Sequence, residues 1–89
     1  MSSQEQVPEG KLVGTVTHYF GRIEVGAVKL TDTLRVGDTI RFKGATTDFT
    51  QTVDSMQIEN DGVEEAGPGD EVGLKVSDRV RQGDDVFRL

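Results

Sequence analysis

Residues 28–40 are Val28-Lys29-Leu30-Thr31-Asp32-Thr33-Leu34-Arg35-Val36-Gly37-Asp38-Thr39-Ile40, and the pattern returns from residue 74 as Leu74-Lys75-Val76-Ser77-Asp78-Arg79-Val80-Arg81-Gln82-Gly83-Asp84-Asp85-Val86. Lys, Asp, Arg, Gly and Asp recur at the same places, and the apolar positions stay apolar except at Val36, which aligns with Gln82. A Gly-Asp pair before an apolar strand is typical of a turn, because glycine adopts positive φ and the carboxylate accepts hydrogen bonds from nearby amides. The repeat predicts one strand–turn–strand unit in each half of a pseudo-symmetric β-barrel. The alternative is two similar turns in one β protein.

Short runs rich in Val, Ile, Thr and Phe, broken by Gly, Asp and Asn, make up the remainder of the chain, and no helical period is apparent. These runs predict six strands, at residues 11–20, 23–30, 39–43, 49–59, 71–76 and 85–89. In the first strand, Leu12, Val16 and Phe20 are expected on one face. In the fourth, the alternation slips between Val53 and Met56, which predicts a bulge or a bend. The fold class is therefore all-β, a sandwich or a barrel.

The length of 89 residues allows one domain, predicted over residues 11–89. Residues 1–10 lack the basic and apolar regions of a signal peptide, and we expect a disordered tail there. The absence of cysteine excludes a disulfide framework and a cysteine-based zinc site. No apolar run approaches the roughly 20 residues that cross a bilayer, and a cytoplasmic location is expected.

The charge is unevenly distributed along the chain. Residues 1–44 carry six basic and five acidic side chains, whereas residues 45–89 carry four basic and eleven acidic ones. Proteins that bind nucleic acid by charge usually show a basic face, because their affinity depends on phosphate contacts. The acidic half therefore suits a basic protein partner better than RNA. The alternative is a solvated surface that keeps the protein in solution.

The sequence is poorly supplied with catalytic groups. His18 is the only histidine, so no histidine cluster can hold a metal. The acidic pairs, such as Glu64-Glu65, lie in or beside predicted turns, and no phosphate-binding loop is present. We predict that the chain is not an enzyme, has no metal site or cofactor, and does not bind GTP.

The candidate binding residues are cationic and aromatic side chains. If Phe20 is buried, Tyr19 is exposed beside His18 and Arg22, where an aromatic ring and a guanidinium together can stack on a base or anchor a protein interface. Arg41 and Lys43 would extend this face if they lie on the same side of the barrel. A packed histidine and a lone surface tyrosine are the alternatives.

Three stretches resemble the second domain of translational GTPases such as elongation factor Tu. They are Gly21-Arg22-Ile23-Glu24-Val25-Gly26, residues 34–40 and Ala66-Gly67-Pro68-Gly69-Asp70-Glu71-Val72-Gly73-Leu74. The resemblance runs from about Val13 to Leu89 and implies a closed, six-stranded Greek-key barrel. Residues 15–20 and 51–59 are similar to small stand-alone elongation-factor-like proteins of unknown function. The positions that correspond to those holding the tRNA end in elongation factor Tu are occupied here by Leu12, Gln57, Asn60 and Glu71. The polar pattern is changed, and Glu71 would repel phosphate.

The resemblance leads to several functional expectations. The first is a non-catalytic adaptor in translation or RNA metabolism that acts through a protein partner. Direct binding of tRNA or rRNA by the barrel face is an alternative. Stand-alone members also resemble detached accessory barrels of the collagenase-like peptidase family, which includes RNA-modifying enzymes, so a chain of that family is a further candidate partner. A monomer or a weak dimer is expected.

Overall fold

Ten strands form between residues 10 and 89, the part of the chain that this computed structural model describes. They are β1 (Lys11–Phe20), β2 (Val25–Leu30), β3 (Leu34–Arg35), β4 (Thr39–Lys43), β5 (Asp48–Thr52), β6 (Met56–Ile58), β7 (Asp61–Val63), β8 (Glu65–Ala66), β9 (Glu71–Lys75) and β10 (Asp85–Arg88). The predicted tail at residues 1–10 lies outside the described residues, apart from Gly10. The prediction of an all-β fold is confirmed.

Eight of the strands form one curled antiparallel sheet in the order β5-β4-β10-β1-β2-β9-β6-β7, and β3 pairs with β8 separately. The predicted closed, six-stranded barrel is not confirmed, because the described ladders end at β5 and β7 and leave an open half-barrel. The predicted strand 49–59 divides into β5 and β6, with its bend where the alternation slips. At this bend the Val53 amide donates to the Asp38 carbonyl, and the Val53 carbonyl accepts from the Gly37 amide, each at 2.8 Å.

A side chain joins β5 to the segment that follows β9. The amide nitrogen of Gln51 donates to the Lys75 carbonyl at 2.8 Å, and its oxygen accepts from the Ser77 amide at 2.8 Å. Gln51 therefore supplies two hydrogen bonds at a place where the described backbone forms no ladder.

Replacing Gln51 with alanine is expected to lower the free energy of unfolding by about 1–2 kcal/mol, the net value of two such bonds. Amide exchange of Ser77 should accelerate in the same variant. Both quantities are accessible from urea denaturation and from hydrogen exchange followed by NMR. Gln82→Ala, at an exposed turn position, is the control, and an equal loss in the two variants would contradict the assigned role of Gln51.

Two irregularities in β1 decide which of its side chains enter the core. The register shifts between Leu12 and Gly14 in the ladder with β10, and again between Val16 and His18 in the ladder with β2. The prediction that Leu12, Val16 and Phe20 share one face is therefore wrong. Leu12 and Phe20 are exposed, and the buried apolar side chains of β1 are Val13 and Val16. The rest of the core comprises Val28, Leu30, Leu34, Ile40, Phe42, Val53, Met56, Ala66, Val72, Leu74, Val76, Val80 and Val86.

The turns in the two halves of the sequence repeat have the same hydrogen bonds. The Asp38 amide donates to the Arg35 carbonyl, and its carboxylate accepts from the Arg35 amide at 2.9 Å. Asp84 makes the same two bonds with Arg81. Each turn contains a glycine in the left-handed region, with φ of 100° at Gly37 and 94° at Gly83, conformations that residues with a Cβ rarely adopt. The predicted turn chemistry is confirmed in both halves.

Asp32 ties the start of β1 to the end of β2. Its carboxylate lies 2.6 Å from the Lys11 ammonium and accepts a 2.7 Å hydrogen bond from the Thr33 amide. The bond from Lys11, followed by that from Thr33, holds the pKa of Asp32 below its ordinary value. The ionised carboxylate is therefore favoured in the folded protein relative to the unfolded chain.

Asp32→Asn is expected to destabilise the protein at neutral pH and to have little effect in acid. Because the folded pKa is lowered, the contribution of the carboxylate is present above the unfolded aspartate value of about 3.9 and is lost as the pH falls through the folded pKa. Urea denaturation of wild type and variant at pH 7 and pH 3 measures the difference. The exposed Asp54→Asn serves as the control, and an Asp32→Asn effect that persisted undiminished at pH 3 would contradict the assignment.

Candidate functional site

A groove crosses the outer face of the sheet above β2, β9 and β6. Ala27 lies opposite Gly73 in the ladder between β2 and β9, and Gly73 lies opposite Gln57 in the next ladder. Because side chains alternate between the faces of a strand, Val28, Val72 and Leu74 point into the core while Ala27 and Gly73 face outward. Because alanine carries only a methyl group and glycine no side chain, the outer surface of the sheet is depressed where Ala27 and Gly73 lie opposite each other.

Apolar side chains wall the groove. Phe20 and Ile23 stand at one end and Ile58 at another, around a volume of about 660 Å³. Phe20 is 46% exposed and Ile23 is 58% exposed, although both are large apolar residues. The size of the groove falls in the range of about 300–1,000 Å³ that is usual for binding pockets. Apolar side chains gathered around such a depression favour a binding surface over an ordinary solvated face.

The polar rim of the groove is acidic. Glu59, Asp70 and Glu71 line it, and no lysine or arginine lines it among residues 10–89. The Thr17 hydroxyl donates to the carboxylate of Glu71, which holds this group beside the floor. The carboxylate of Asp70 accepts from the Gly67 amide at 2.9 Å. The groove therefore combines apolar walls with negative charge at its edge.

Glu59 occupies an unfavourable backbone conformation at this rim. It forms, with Asn60, the two-residue turn of the β6–β7 hairpin, with φ of 51° and 70°. Such turns require positive φ at both central residues and favour Asn and Gly. A residue with a longer side chain in this region costs about 1–2 kcal/mol. The side chain of Glu59 has neither a hydrogen bond nor an ion pair within the described part of the chain that would offset this cost.

Glu24 also has a positive φ, of 57°, but unlike Glu59 it has partners for both its backbone and its side chain. Its carbonyl accepts a 2.9 Å bond from the Val76 amide, and its carboxylate lies 3.7 Å from the Lys75 ammonium. Glu24 thus has partners within the fold, whereas the side chain of Glu59 has no partner among residues 10–89. Strained residues that the fold does not account for are concentrated at functional sites.

The structure separates the candidate residues on β1. His18 is exposed, and its ring lies 4.4 Å from that of Phe20. Tyr19 is half-buried and packs against the core, and Arg22 lies exposed in the turn before β2. The expectation that Tyr19 is the exposed aromatic was conditional on a buried Phe20. The register shift after Val16 reverses the alternation, so Phe20 is the exposed ring.

Arg41 and Lys43 lie on a different part of the sheet. Arg41 forms a two-pronged ion pair with Asp48 on β5, at 2.7 and 2.8 Å, and this bond lowers the pKa of Asp48. Lys43 is exposed and lies opposite Asp85 of β10, which in turn lies opposite Thr15 of β1. Strand β10 therefore stands between β4 and β1.

Four of the five candidate residues, His18, Arg22, Arg41 and Lys43, are not packed in the core, whereas Tyr19 packs against it. Strand β10 separates His18 on β1 from Arg41 and Lys43 on β4. Direct RNA binding by any of these residues stays a prediction. Residue patterns alone do not single out Ile23 or Glu59 as binding residues, because the positive φ of Glu59 follows from the register of the β6–β7 hairpin.

Residues 10–89 contain no group of three or more His, Asp or Glu side chains placed as metal ligands would be. The same stretch contains no helix with the length and apolarity needed to span a bilayer.

Comparison with known proteins points to peptidases. No family model matches the chain. The crystal structure of the C-terminal domain of a putative U32 peptidase from Geobacillus thermoleovorans superposes with a TM-score of 0.83 at 22% identity, over 98% of this chain and 99% of that one. The chain shares the fold of that C-terminal domain. Its selenomethionine variant gives the same TM-score over 86% of this chain and 98% of that one.

A sequence relative is also a protease. An uncharacterized protease of Methanocaldococcus jannaschii is 38% identical over 78 residues, which are 86% of this chain and 19% of the protease. The chain thus spans about a fifth of the length of the relative that it matches.

These matches correct the resemblance to elongation factor Tu and to elongation-factor-like proteins, which was wrong. The physical reason lies in the motifs that carried it, Val36-Gly37-Asp38 and Gly67-Pro68-Gly69-Asp70. Both are turns in which an Asp carboxylate accepts from the amide three residues earlier. Any antiparallel sheet that needs such a turn favours the same residues, so these motifs report turn geometry and not ancestry. The translation role inferred from them is withdrawn.

Proposed function

We propose that the chain is a non-catalytic accessory domain of a U32, collagenase-like peptidase, and that it acts by contact with the catalytic chain. The observation that carries this proposal is the superposition on the C-terminal domain of a U32 peptidase, with a TM-score of 0.83. The protease relative supports it independently, because its matching region is only 19% of a much longer protein.

The groove supports a role in binding. Apolar walls at Phe20 and Ile23 and a rim at Glu59 offer contact area together with a charge preference. The core of a protein interface typically contains aromatic and aliphatic anchors surrounded by polar groups, as this surface does. An accessory domain needs such a surface and no reacting groups of its own.

Cross-linking in native cells, followed by mass spectrometry, tests the proposal. We expect cross-links between this domain and a collagenase-like catalytic chain, and we expect them to persist after RNase treatment. Recovery of other proteins without any such catalytic chain would overturn the accessory role. Links that disappear with RNase would instead favour RNA binding.

A further inference from the structure

We propose that the groove over β2, β9 and β6 receives a segment of the catalytic chain that presents apolar side chains followed by a lysine or arginine placed against Glu59. This inference rests on the proposed function and specifies the surface and the chemistry of the partner. Three observations lead to it: the shape of the floor, the charge of the rim and the backbone conformation of Glu59.

The floor and walls determine the apolar part of the occupant. Ala27 and Gly73 add little side-chain volume to the floor, and a methyl of Val25 would lie 3.3 Å from a Cβ built on Gly73, so Val25 forms part of an apolar floor. Phe20 and Ile23 rise at one end with about half of their surfaces exposed. A small number of Leu, Ile or aromatic side chains inserted here would remove these walls from water, which is the main source of affinity in such contacts.

The rim determines the charge of the occupant. Glu59, Asp70 and Glu71 line the groove, and its described lining contains no lysine or arginine. Lys29 lies opposite Glu71 in the ladder between β2 and β9, whereas Glu59 has no cation paired with it among residues 10–89. Like charges at an interface are costly, whereas a complementary charge selects the partner and speeds association. An acidic segment and a phosphate backbone are disfavoured for the same reason, so the occupant is a protein segment with at least one basic side chain.

Glu59 identifies the point at which that basic side chain binds. Asparagine, as at Asn60, is a residue type that tolerates positive φ. Glutamate tolerates it less well, and Glu59 has a φ of 51°. Its carboxylate contributes nothing visible to the fold within residues 10–89, unlike that of Glu24, which pairs with Lys75. A strained residue without a structural partner, located on a groove rim, is consistent with a side chain kept for a ligand.

Glu59→Asn should therefore weaken binding of the partner without lowering the thermal stability of the protein. Asparagine suits a positive-φ turn better than glutamate does, so the variant should unfold at the same temperature as wild type or at a higher one. The same change removes the rim charge and should weaken docking. A purely structural role for Glu59 would give no loss of binding.

The experiment uses the catalytic chain that the cross-linking described above identifies, purified without cross-linker. Its binding to the intact protein is measured by isothermal titration calorimetry, and thermal unfolding is measured for every variant. Ile23→Asp should weaken binding at least tenfold and Glu59→Asn at least threefold, both with folded-state stability retained. The matched controls are Val36→Asp, at another exposed apolar residue outside the groove, and Glu64→Gln, at another exposed acid outside it. Both controls should bind within twofold of wild type.

The outcomes separate this inference from the accessory role. If wild type binds the catalytic chain and the two groove variants bind equally well, the groove is not the docking surface and the accessory role stands. If wild type binds no catalytic chain, the accessory role itself fails, and the inference fails with it. A loss in Val36→Asp as large as that in Ile23→Asp would also overturn the assignment of the groove.

Discussion

Phe42→Ala is expected to lower the free energy of unfolding by about 3–5 kcal/mol, the usual cost of truncating a fully buried phenylalanine. Phe42 is the largest fully buried side chain of the described residues, and its ring stacks on that of Phe49 with centroids 5.0 Å apart. It projects from β4 into the hydrophobic core. Removing the ring leaves a cavity that the surrounding strands fill only partly, because their ladders fix the backbone on both sides of β4.

The loss is large relative to the total stability. A domain of this length is stable by roughly 4–13 kcal/mol, so the variant should unfold well below the wild-type temperature, by about 15 °C or more. Thermal and urea denaturation followed by circular dichroism measure the change. Phe20→Ala is the matched control, since it removes the same ring from an exposed position. It should cost less than about 1 kcal/mol. Similar losses of stability in the two variants would contradict the burial of Phe42 and the exposure of Phe20.

The turns were predictable from sequence because their chemistry is local. Residues 35–38 and 81–84 each contain the glycine that adopts positive φ and the aspartate that accepts from the amide three residues earlier. Nothing beyond four consecutive residues is needed to predict such a turn. The alternation of Ile40 and Phe42, both buried, likewise follows from a regular short strand.

The face of β1 and the groove were not predictable in the same way. The shift between Val16 and His18 exists only in the pairing of β1 with β2, so the exposure of Phe20 depends on a partner strand. The floor of the groove depends on Ala27 lying opposite Gly73, residues far apart in the sequence. Closure of the barrel is likewise not confirmed, since the described ladders end at β5 and β7, and Val53, between β5 and β6, forms hydrogen bonds with Gly37 and Asp38. Each of these features is set by register, which residue patterns along one chain do not specify.

Asp84→Ala is expected to cost about 1–3 kcal/mol, more than Asp38→Ala in the equivalent turn of the other repeat half. The carboxylate of Asp84 is 5% exposed and accepts from the Arg81 amide at 2.8 Å, so its removal leaves a partly buried donor without a partner. The corresponding bond of Asp38 to the Arg35 amide is exposed, and water can replace it. Asp38→Ala should therefore lose only about 0.5–1 kcal/mol. Equal losses would contradict burial as the cause.

A double-mutant cycle with Gly44 tests whether the Asp84 carboxylate occupies the position that the structure gives it. A Cβ built on Gly44 would lie 1.9 Å from Oδ1 of Asp84, and the backbone of Gly44 is not in the left-handed region. Gly44→Ala should thus push the carboxylate away from the Arg81 amide and destabilise the wild type by about 1–3 kcal/mol. In the Asp84→Ala background the space is open, and the same change should be neutral or slightly stabilising. A coupling of about 1 kcal/mol or more is expected. Additive losses would place the carboxylate elsewhere and remove the reason given for the larger cost of Asp84→Ala.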